Sequence, residues 1–360
     1  MITRGALVVL EALVSDGPAT HNELVTNTDL TRSTVYGVVD DLLDAGLLEE
    51  QTGYGSDGNL RASDDPIVET YRTLRVSCGD LDWPSRLSPA TLSVCWFLCE
   101  PRSLSTVASR LGITREGVHD ALSPLKGLGA FAPAGPQYAI SEEFEPLQKF
   151  AHSVVERRHL EQLHRIAPNA IPEWCDPNRA LVRGGRPADT RALRSNDDWK
   201  PTGLAAFGSY GLTVSSPAES VLDDGWVEVP TDTGSTETGS DASSTETGPD
   251  APSTETGSDV LSTEPAFWYN SGADKLTPEQ IVCHTLVCGT DSRRVGYAML
   301  LIELENLERD SLLEVARWYD LELAVGVIYR AIEESIESTE FIELPSDREY
   351  EALKAKHGVR

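Results

Sequence analysis

Apolar residues recur at helical spacing in two separate stretches, residues 1–62 and 87–141, and both follow one plan. In the first, Leu7, Val8, Leu10, Leu13 and Val14 predict a helix over Ile2 to Val14. Thr20 stands where a cap belongs, ahead of a short helix bearing Leu24 and Val25. After the Asn27-Thr28-Asp29 turn, Thr31 supplies the next N-cap. Val35, Val38, Val39, Leu42 and Leu43 then fall on one stripe of a helix from Arg32 to Ala45, which Gly46 ends. Leu47 to Thr52 and Asn59 to Ala62 are strand-like and flank a glycine-rich connector, Gly53 to Gly58, so they predict a hairpin.

The second stretch repeats the first at an offset of 83 residues. Setting Asp29 to Tyr36 over Gly112 to His119 aligns Thr31 with Thr114, Arg32 with Arg115 and Val35 with Val118, and the match continues to Leu42 over Leu125 and Gly46 over Gly129. A shared offset through two helix-ending glycines indicates internal duplication. The predicted helices are Ser88 to Cys99, Leu104 to Leu111 and Arg115 to Leu128, followed by a hairpin over Phe131 to Ile140. Pro124 interrupts the third helix, where an N–H should bond back.

Beyond 141, Phe144, Leu147, Phe150, Ala151, Val154, Val155, Leu160 and Leu163 mark one side of a long helix over 142–167. Periodicity is lost over 168–200, which reads as a loop-rich junction. Residues 201–230 and 266–345 then read as a mostly helical C-terminal domain, with helical spacing at Thr277 to Val287, Val295 to Leu307, Ser311 to Tyr319 and Leu321 to Ile336. Between its two parts, 231–265 repeats Ser-Thr-Glu-Thr-Gly at Ser235, Ser244 and Ser253. It lacks the glycine-aspartate pattern and the alternate apolar positions of a calcium-binding roll, so a disordered, low-complexity insert is expected.

The run LTRSTVYGVVDDLLDAGLLE, Leu30 to Glu49, resembles the third helix and wing entry of winged helix-turn-helix transcription regulators of bacteria and archaea, in particular the MarR-like regulators. The implied fold is mainly α with small β-hairpin wings: tandem winged helix-turn-helix domains (1–65, and a degenerate 87–141) joined by a linker helix (66–86), then the long helix and basic junction (142–200) and the C-terminal domain. The resemblance also implies that the third helix enters the major groove of double-stranded DNA with its N-terminal residues facing base edges. Opposite the apolar stripe stand Arg32, Ser33, Thr34, Tyr36 and Gly37. Arg reads guanine bidentately, Ser and Thr reach bases or phosphates, and Gly37 permits close backbone approach. In the wing, Tyr54 and Arg61 are candidates for a phosphate or minor-groove contact. The second copy offers Arg115 and His119, but Glu116 and Asp120 replace Ser33 and Gly37 and make it the weaker reader.

Charge complicates this picture. The 360 residues carry 58 Asp+Glu against 30 Lys+Arg, a formal net charge of -28, and only 6 of the basic residues are Lys. That composition resembles proteins of halophilic archaea, where molar salt shortens the Debye length to about 3 Å and carboxylates scarcely repel. Residues 1–60 hold ten acids and two bases, yet Asp40, Asp41, Asp44, Glu49 and Glu50 lie at or beyond the far end of the third helix and leave its tip usable. The exception to the acidity is 149–200, with ten basic residues against seven acids. Arg157, Arg158, Arg183 and Arg186 there are either a second DNA or partner surface or an arginine set pairing with nearby carboxylates to hold domains together.

Two short segments resemble abortive-infection type IV antitoxins: Pro201 to Leu212, similar to a "TGLSALxxYGL" segment, and Leu276 to Val282, similar to a "TPERTLLDxL" helix start. An antitoxin-like regulator and a protein-interaction scaffold are therefore alternatives to a DNA-reading transcription regulator. Cys283, Cys288, Cys95 and Cys99 sit on apolar helical stretches and read as core rather than metal ligands. No catalytic residues, cofactor, metal quartet, phosphate-cradling loop or nucleophile elbow is legible, so a non-enzyme is expected. A cytoplasmic protein without a membrane span is expected too. Besides DNA, the sequence is compatible with a homodimer and with a protein partner or small effector at the C-terminal domain.

Overall fold

The computed structural model describes residues 2–51, 59–79, 81–214, 267–270, 275–334 and 338–359, and the wing tip with Tyr54 and the low-complexity insert lie outside the described residues. The first unit is α1 (Arg4–Asp16), β1 (Ala19–Thr20), α2 (His21–Asn27), α3 (Arg32–Asp44), β2 (Leu48–Gln51) and β3 (Asn59–Ala62). Its helices start where hydroxyl side chains take up free N–H groups: Thr3 accepts from Ala6, Thr20 forms a capping box with Glu23, and Thr31 accepts from Thr34. The three strands form an antiparallel sheet in the order β1-β3-β2. Close approach of α1 to α3 depends on Gly5, where a Cβ would lie 3.2 Å from Val38 Cγ2.

After α4 (Pro66–Cys78) and the single turn α5 (Trp83–Arg86), the same order returns: α6 (Pro89–Phe97), α7 (Leu104–Leu111), α8 (Arg115–Leu122), a 3₁₀ segment Ser123–Leu128, and the antiparallel hairpin β4 (Phe131–Ala134) and β5 (Gln137–Ile140). Equivalent positions do equivalent work. Thr31 and Thr114 both cap their helices, and Val35 and Val118 are both completely buried. Gly46 and Gly129 both take left-handed backbone, at φ 70 and 74. Arg102, in the place of Ala19, bridges to Tyr138 where β1 pairs with β3 in the first unit. Beside Pro124 the third helix gives way to 3₁₀ geometry, so α8 is five residues shorter than α3.

The long helix α9 (Glu145–Ile166) packs its Leu147, Phe150 and Ala151 into one core with α1, α3, α4 and, from α6, Leu92 and Cys95. The two HTH-like segments are thus fastened along a common spine.

The junction 168–200 is not the loop that its lost periodicity suggested. It contains β6 (Ile171–Cys175), β7 (Ala180–Arg183), α10 (Pro187–Arg194) and the start of β8 (Trp199–Thr202). With β9 (Phe267–Asn270), these strands form a four-stranded antiparallel sheet in the order β6-β7-β9-β8. Four- and five-residue strands are too short to declare a period, and Pro172 and Pro201 argue against strand when read alone. Both prolines fall on the edge strands β6 and β8, where a missing N–H is tolerated.

One face of this sheet, with Leu181, Phe267 and Tyr269, packs on the C-terminal helices; the other, with Ala180, Val182, Trp199 and Trp268, packs on Leu163 of α9, on Ala167 just after it and on Leu193 of α10. Beyond the sheet lie α11 (Pro278–Val287), α12 (Ser292–Leu304), α13 (Arg309–Ala316), α14 (Glu322–Glu334) and α15 (Asp347–His357). The last lies wholly beyond the expected end at 345. Its Tyr350 and Leu353 join the core, and Lys354 pairs with Glu303 of α12 at 3.0 Å. Overall the chain is mainly helical with small antiparallel sheets. Among the described residues no helix is long and apolar enough to cross a membrane.

Candidate nucleic-acid interface

The α3 helix separates its faces cleanly. Val35, Val39 and Leu42 are buried, while Arg32, Ser33, Thr34, Tyr36 and Gly37 are exposed. At the helix start the Thr34 N–H donates to Thr31 Oγ1 at 3.3 Å, and the Ser33 and Thr34 hydroxyls lie 3.1 and 2.8 Å from that same oxygen. Arg32 Nη2 donates to the Tyr36 hydroxyl at 3.4 Å, with the guanidinium carbon 5.6 Å from the ring centroid. Thr31, Arg32, Ser33 and Tyr36 together line an open concavity at the tip.

No acid occupies the first turn of α3, whereas Asp40, Asp41 and Asp44 are exposed in its C-terminal half. The tip thus combines a positive helix end with one guanidinium, and the acids sit where the helix dipole is negative. Sequence reading missed His21, the first residue of α2, whose ring stacks on Tyr36 with centroids 4.6 Å apart and planes at 27°. Only the packing of α2 on α3 brings them together, since fifteen positions of sequence separate the two.

The remaining candidates divide. Arg61 forms an ion pair with Glu49, its cross-strand partner in the wing, so its charge is already matched. Arg115 and His119 are exposed on α8, with Lys126 Nζ 3.1 Å from His119 Nε2 and Glu116 exposed between them. Arg183 pairs with Glu173 across β6 and β7 at 2.6 Å, and Arg186 is exposed immediately before α10.

Arg157 acts as a clamp. It donates to Asp65 at 3.1 Å and to Glu161 at 3.4 Å, and it reaches the Ala45 carbonyl at the end of α3. Arg157 thereby ties α9 to the end of α3 and to the start of α4. Arg157→Ala leaves Asp65 and the Ala45 carbonyl without this donor and is expected to cost about 1–2 kcal/mol in urea unfolding. Arg158, next to it, is half-buried and lines a cleft between α1, α3, α6 and α9.

The C-terminal domain is locked to the second HTH-like segment by aromatic and ionic contacts. Trp318 receives Arg102 and Arg110 over its ring at 4.3 and 4.6 Å, and meets Phe97 edge-on at 5.8 Å. Arg110 also pairs with the buried Asp176 at 3.2 Å. Behind this junction His284 is completely buried, its Nδ1 2.6 Å from Thr202 Oγ1 and its Nε2 2.8 Å from the Tyr319 hydroxyl. Burial, with the Arg110 charge nearby, pushes the His284 pKa down to about 3 and keeps the ring neutral. Among the described residues no cluster of three or more His, Cys, Asp or Glu has the arrangement to hold a metal ion.

Residues 7–73 match the family model of the sugar-specific transcriptional regulator TrmB. The TrmB match runs from α1 through most of α4 and contains the whole α3 face described above. It places the similarity with a different regulator family from the MarR-like one that Leu30 to Glu49 suggested. Residues 245–359 match a second family model, the C-terminal domain family HVO_2833_C, a region that includes the antitoxin-like segment Leu276 to Val282 but not Pro201 to Leu212. No curated protein and no solved structure matches the chain. The N-terminal unit is therefore similar to that of a transcriptional regulator, a kind of protein that is not an enzyme.

Proposed function

We propose that the protein is a sequence-specific DNA-binding transcription regulator that inserts the N-terminal half of α3 into the major groove. The observation that carries this reading is the tip of α3. Arg32, Ser33, Thr34 and Tyr36 are exposed on one face, pre-arranged by Thr31 and His21, inside the segment similar to TrmB. Arg32 is the guanine reader, Ser33 and Thr34 contact bases or phosphate, and Tyr36 supplies a stiff apolar surface. The second HTH-like segment is read as a degenerate winged helix. Its Glu116 and Asp120 weaken it as a groove reader, and its main work is to link α9 and the C-terminal domain.

Selection of genomic fragments by the purified full-length chain, followed by footprinting, tests the proposal. Enrichment of a common motif protected over a major-groove face is expected, and recovery of fragments without sequence preference overturns it.

Gly37 gives a sharper check. A Cβ there would meet nothing in the protein within 4 Å, so the fold does not require glycine. In a helix interior glycine costs about 0.5–1 kcal/mol relative to alanine. Gly37→Ala should therefore raise thermal stability by that amount while weakening binding to the selected sites, and unchanged affinity would show that the DNA backbone does not approach here.

A further inference from the structure

In a chain of formal charge -28 carboxylates are plentiful, yet arginines at one end of the fold stay unmatched. Arg165 lies in the last turn of α9, Arg186 just ahead of α10, and Arg191 and Arg194 along α10. All are exposed, and among the described residues none of them forms an ion pair or a side-chain hydrogen bond. Arg183, by contrast, is matched by Glu173.

The elements that carry these arginines are packed together. Leu193 of α10 shares a core with Leu163 and Ile166 of α9, and Asp189 accepts from the Asn169 N–H at 3.3 Å. A Cβ on Gly185 would collide with the Asn169 carbonyl, so glycine is what lets the chain ahead of Arg186 close on the end of α9. Asp189 and Leu193 face inward, which turns Arg191 and Arg194, one turn apart, to the outside. The helix dipole accounts for a cation in the last turn of α10, but not for Arg186 at its positive end. Such a face fits a carboxylate-rich segment.

The chain itself supplies one. Residues 215–266 carry twelve Asp or Glu and no Lys or Arg. The segment joins β9 at Phe267, which pairs with Arg183 of β7 and Thr202 of β8, so it enters the sheet just where the chain leaves for Arg186 and α10. From Glu237 to Glu264 its acids recur at alternating steps of four and five residues. In extended chain such steps span about 13–17 Å, and Arg186 and Arg194 stand roughly 12 Å apart along α10.

We propose that the arginine face of α10 is the docking surface for this chain's own acidic segment 215–266, held by Arg186, Arg191 and Arg194 with Arg165 beside them. The repeat offers several equivalent registers. Attachment to the sheet keeps the carboxylates at an effective concentration on the order of millimolar, so exposed pairs that are weak singly suffice together. The docking does not depend on the DNA reading of α3; its consequence for that reading is a face withheld from phosphate backbones.

The test uses the full-length chain. Arg191→Lys with Arg194→Lys keeps the charge and provides amines that a carbodiimide joins to carboxylates in direct contact. Peptide mapping of the cross-linked monomer should link positions 191 and 194 to acids of 215–266. Links to a second copy in a cross-linked dimer, links to Asp197 and Asp198 alone, or no link at all overturn the proposal.

Cleavage after Glu246, Glu255 and Glu264 by a glutamate-specific protease, relative to the free peptide of the same sequence, is the second measurement. It should rise roughly fivefold or more in Arg191→Glu/Arg194→Glu, with unchanged far-ultraviolet circular dichroism, because tethered pairing is lost. Adding Asp241→Lys, Asp250→Lys and Asp259→Lys to that variant should slow it again. Equal cleavage in the folded Arg191→Glu/Arg194→Glu chain overturns the proposal. So does retention of random-sequence duplex by the wild-type chain that this variant loses, which would assign the face to DNA.

Discussion

Arg32→Ala is expected to lower affinity for the selected DNA sites by roughly 10- to 100-fold, the range of about 1–3 kcal/mol that one bidentate base contact supplies. Specificity at the contacted base pair should relax as well. Arg32→Lys separates the two roles that a cation can play at a helix tip. A lysine keeps the charge but loses the fork, so a base-reading Arg32 is not rescued by it, whereas a phosphate contact is.

The environment favours the base-reading role. The first 60 residues carry ten acids against two bases, so counterion release contributes little here, and base contact and shape have to supply most of the affinity. Competition binding over a series of salt concentrations should show a shallow slope that Arg32→Ala leaves largely unchanged, whereas a phosphate contact would lower it by about one unit. Unchanged affinity and specificity in a folded Arg32→Ala would remove α3 as the reader.

The second large effect is on stability and follows from His284. Its folded pKa is about 3, while an imidazole in the unfolded chain titrates near 6.5. Between those values the unfolded state binds a proton that the folded state refuses. Stability is therefore fully present above about pH 6.5 and falls as the pH drops toward 3, by up to about 1.4 kcal/mol per unit.

His284→Gln retains a polar partner for Thr202 and Tyr319 but does not titrate. Between pH 7 and pH 4 the wild-type chain should lose about 3 kcal/mol more than this variant, measured as the difference between their denaturant-unfolding profiles. Parallel profiles would mean that the imidazole becomes protonated in place. Because His284 lies behind the contacts of Arg110 with Trp318 and Asp176, its protonation should also loosen the junction with the second HTH-like segment.

Much of the first unit is legible without coordinates because its signals are local. Thr31 caps, Gly46 ends the helix, and Val35, Val39 and Leu42 repeat at the helical period, so boundaries and faces follow from neighbours within a turn or two. The duplication is legible for the same reason, since caps and glycines at a constant offset imply the same turns. His21 was not legible, because its stacking on Tyr36 depends on how α2 crosses α3.

The sheet of the C-terminal half lay beyond sequence reading on different grounds. Its strands are four or five residues long, two carry prolines, and β9 returns from beyond the insert to pair between β7 and β8. Pairing over such distances leaves no local period.

What the sequence alone determined is the local grammar: two copies of a capped helical unit, a long spine helix, an exposed arginine-serine-threonine tip and an uneven charge. What only the tertiary structure decided is how the arginines are used. Ten basic residues in 149–200 looked like one band. Folding sends Arg157 to the end of α3, Arg183 to a neighbouring strand and Arg158 to a cleft without a salt-bridge partner among the described residues. The physical reason is that an ion pair is set by distances in space between elements far apart in the chain, as with Arg157 and Asp65, and composition does not encode those distances.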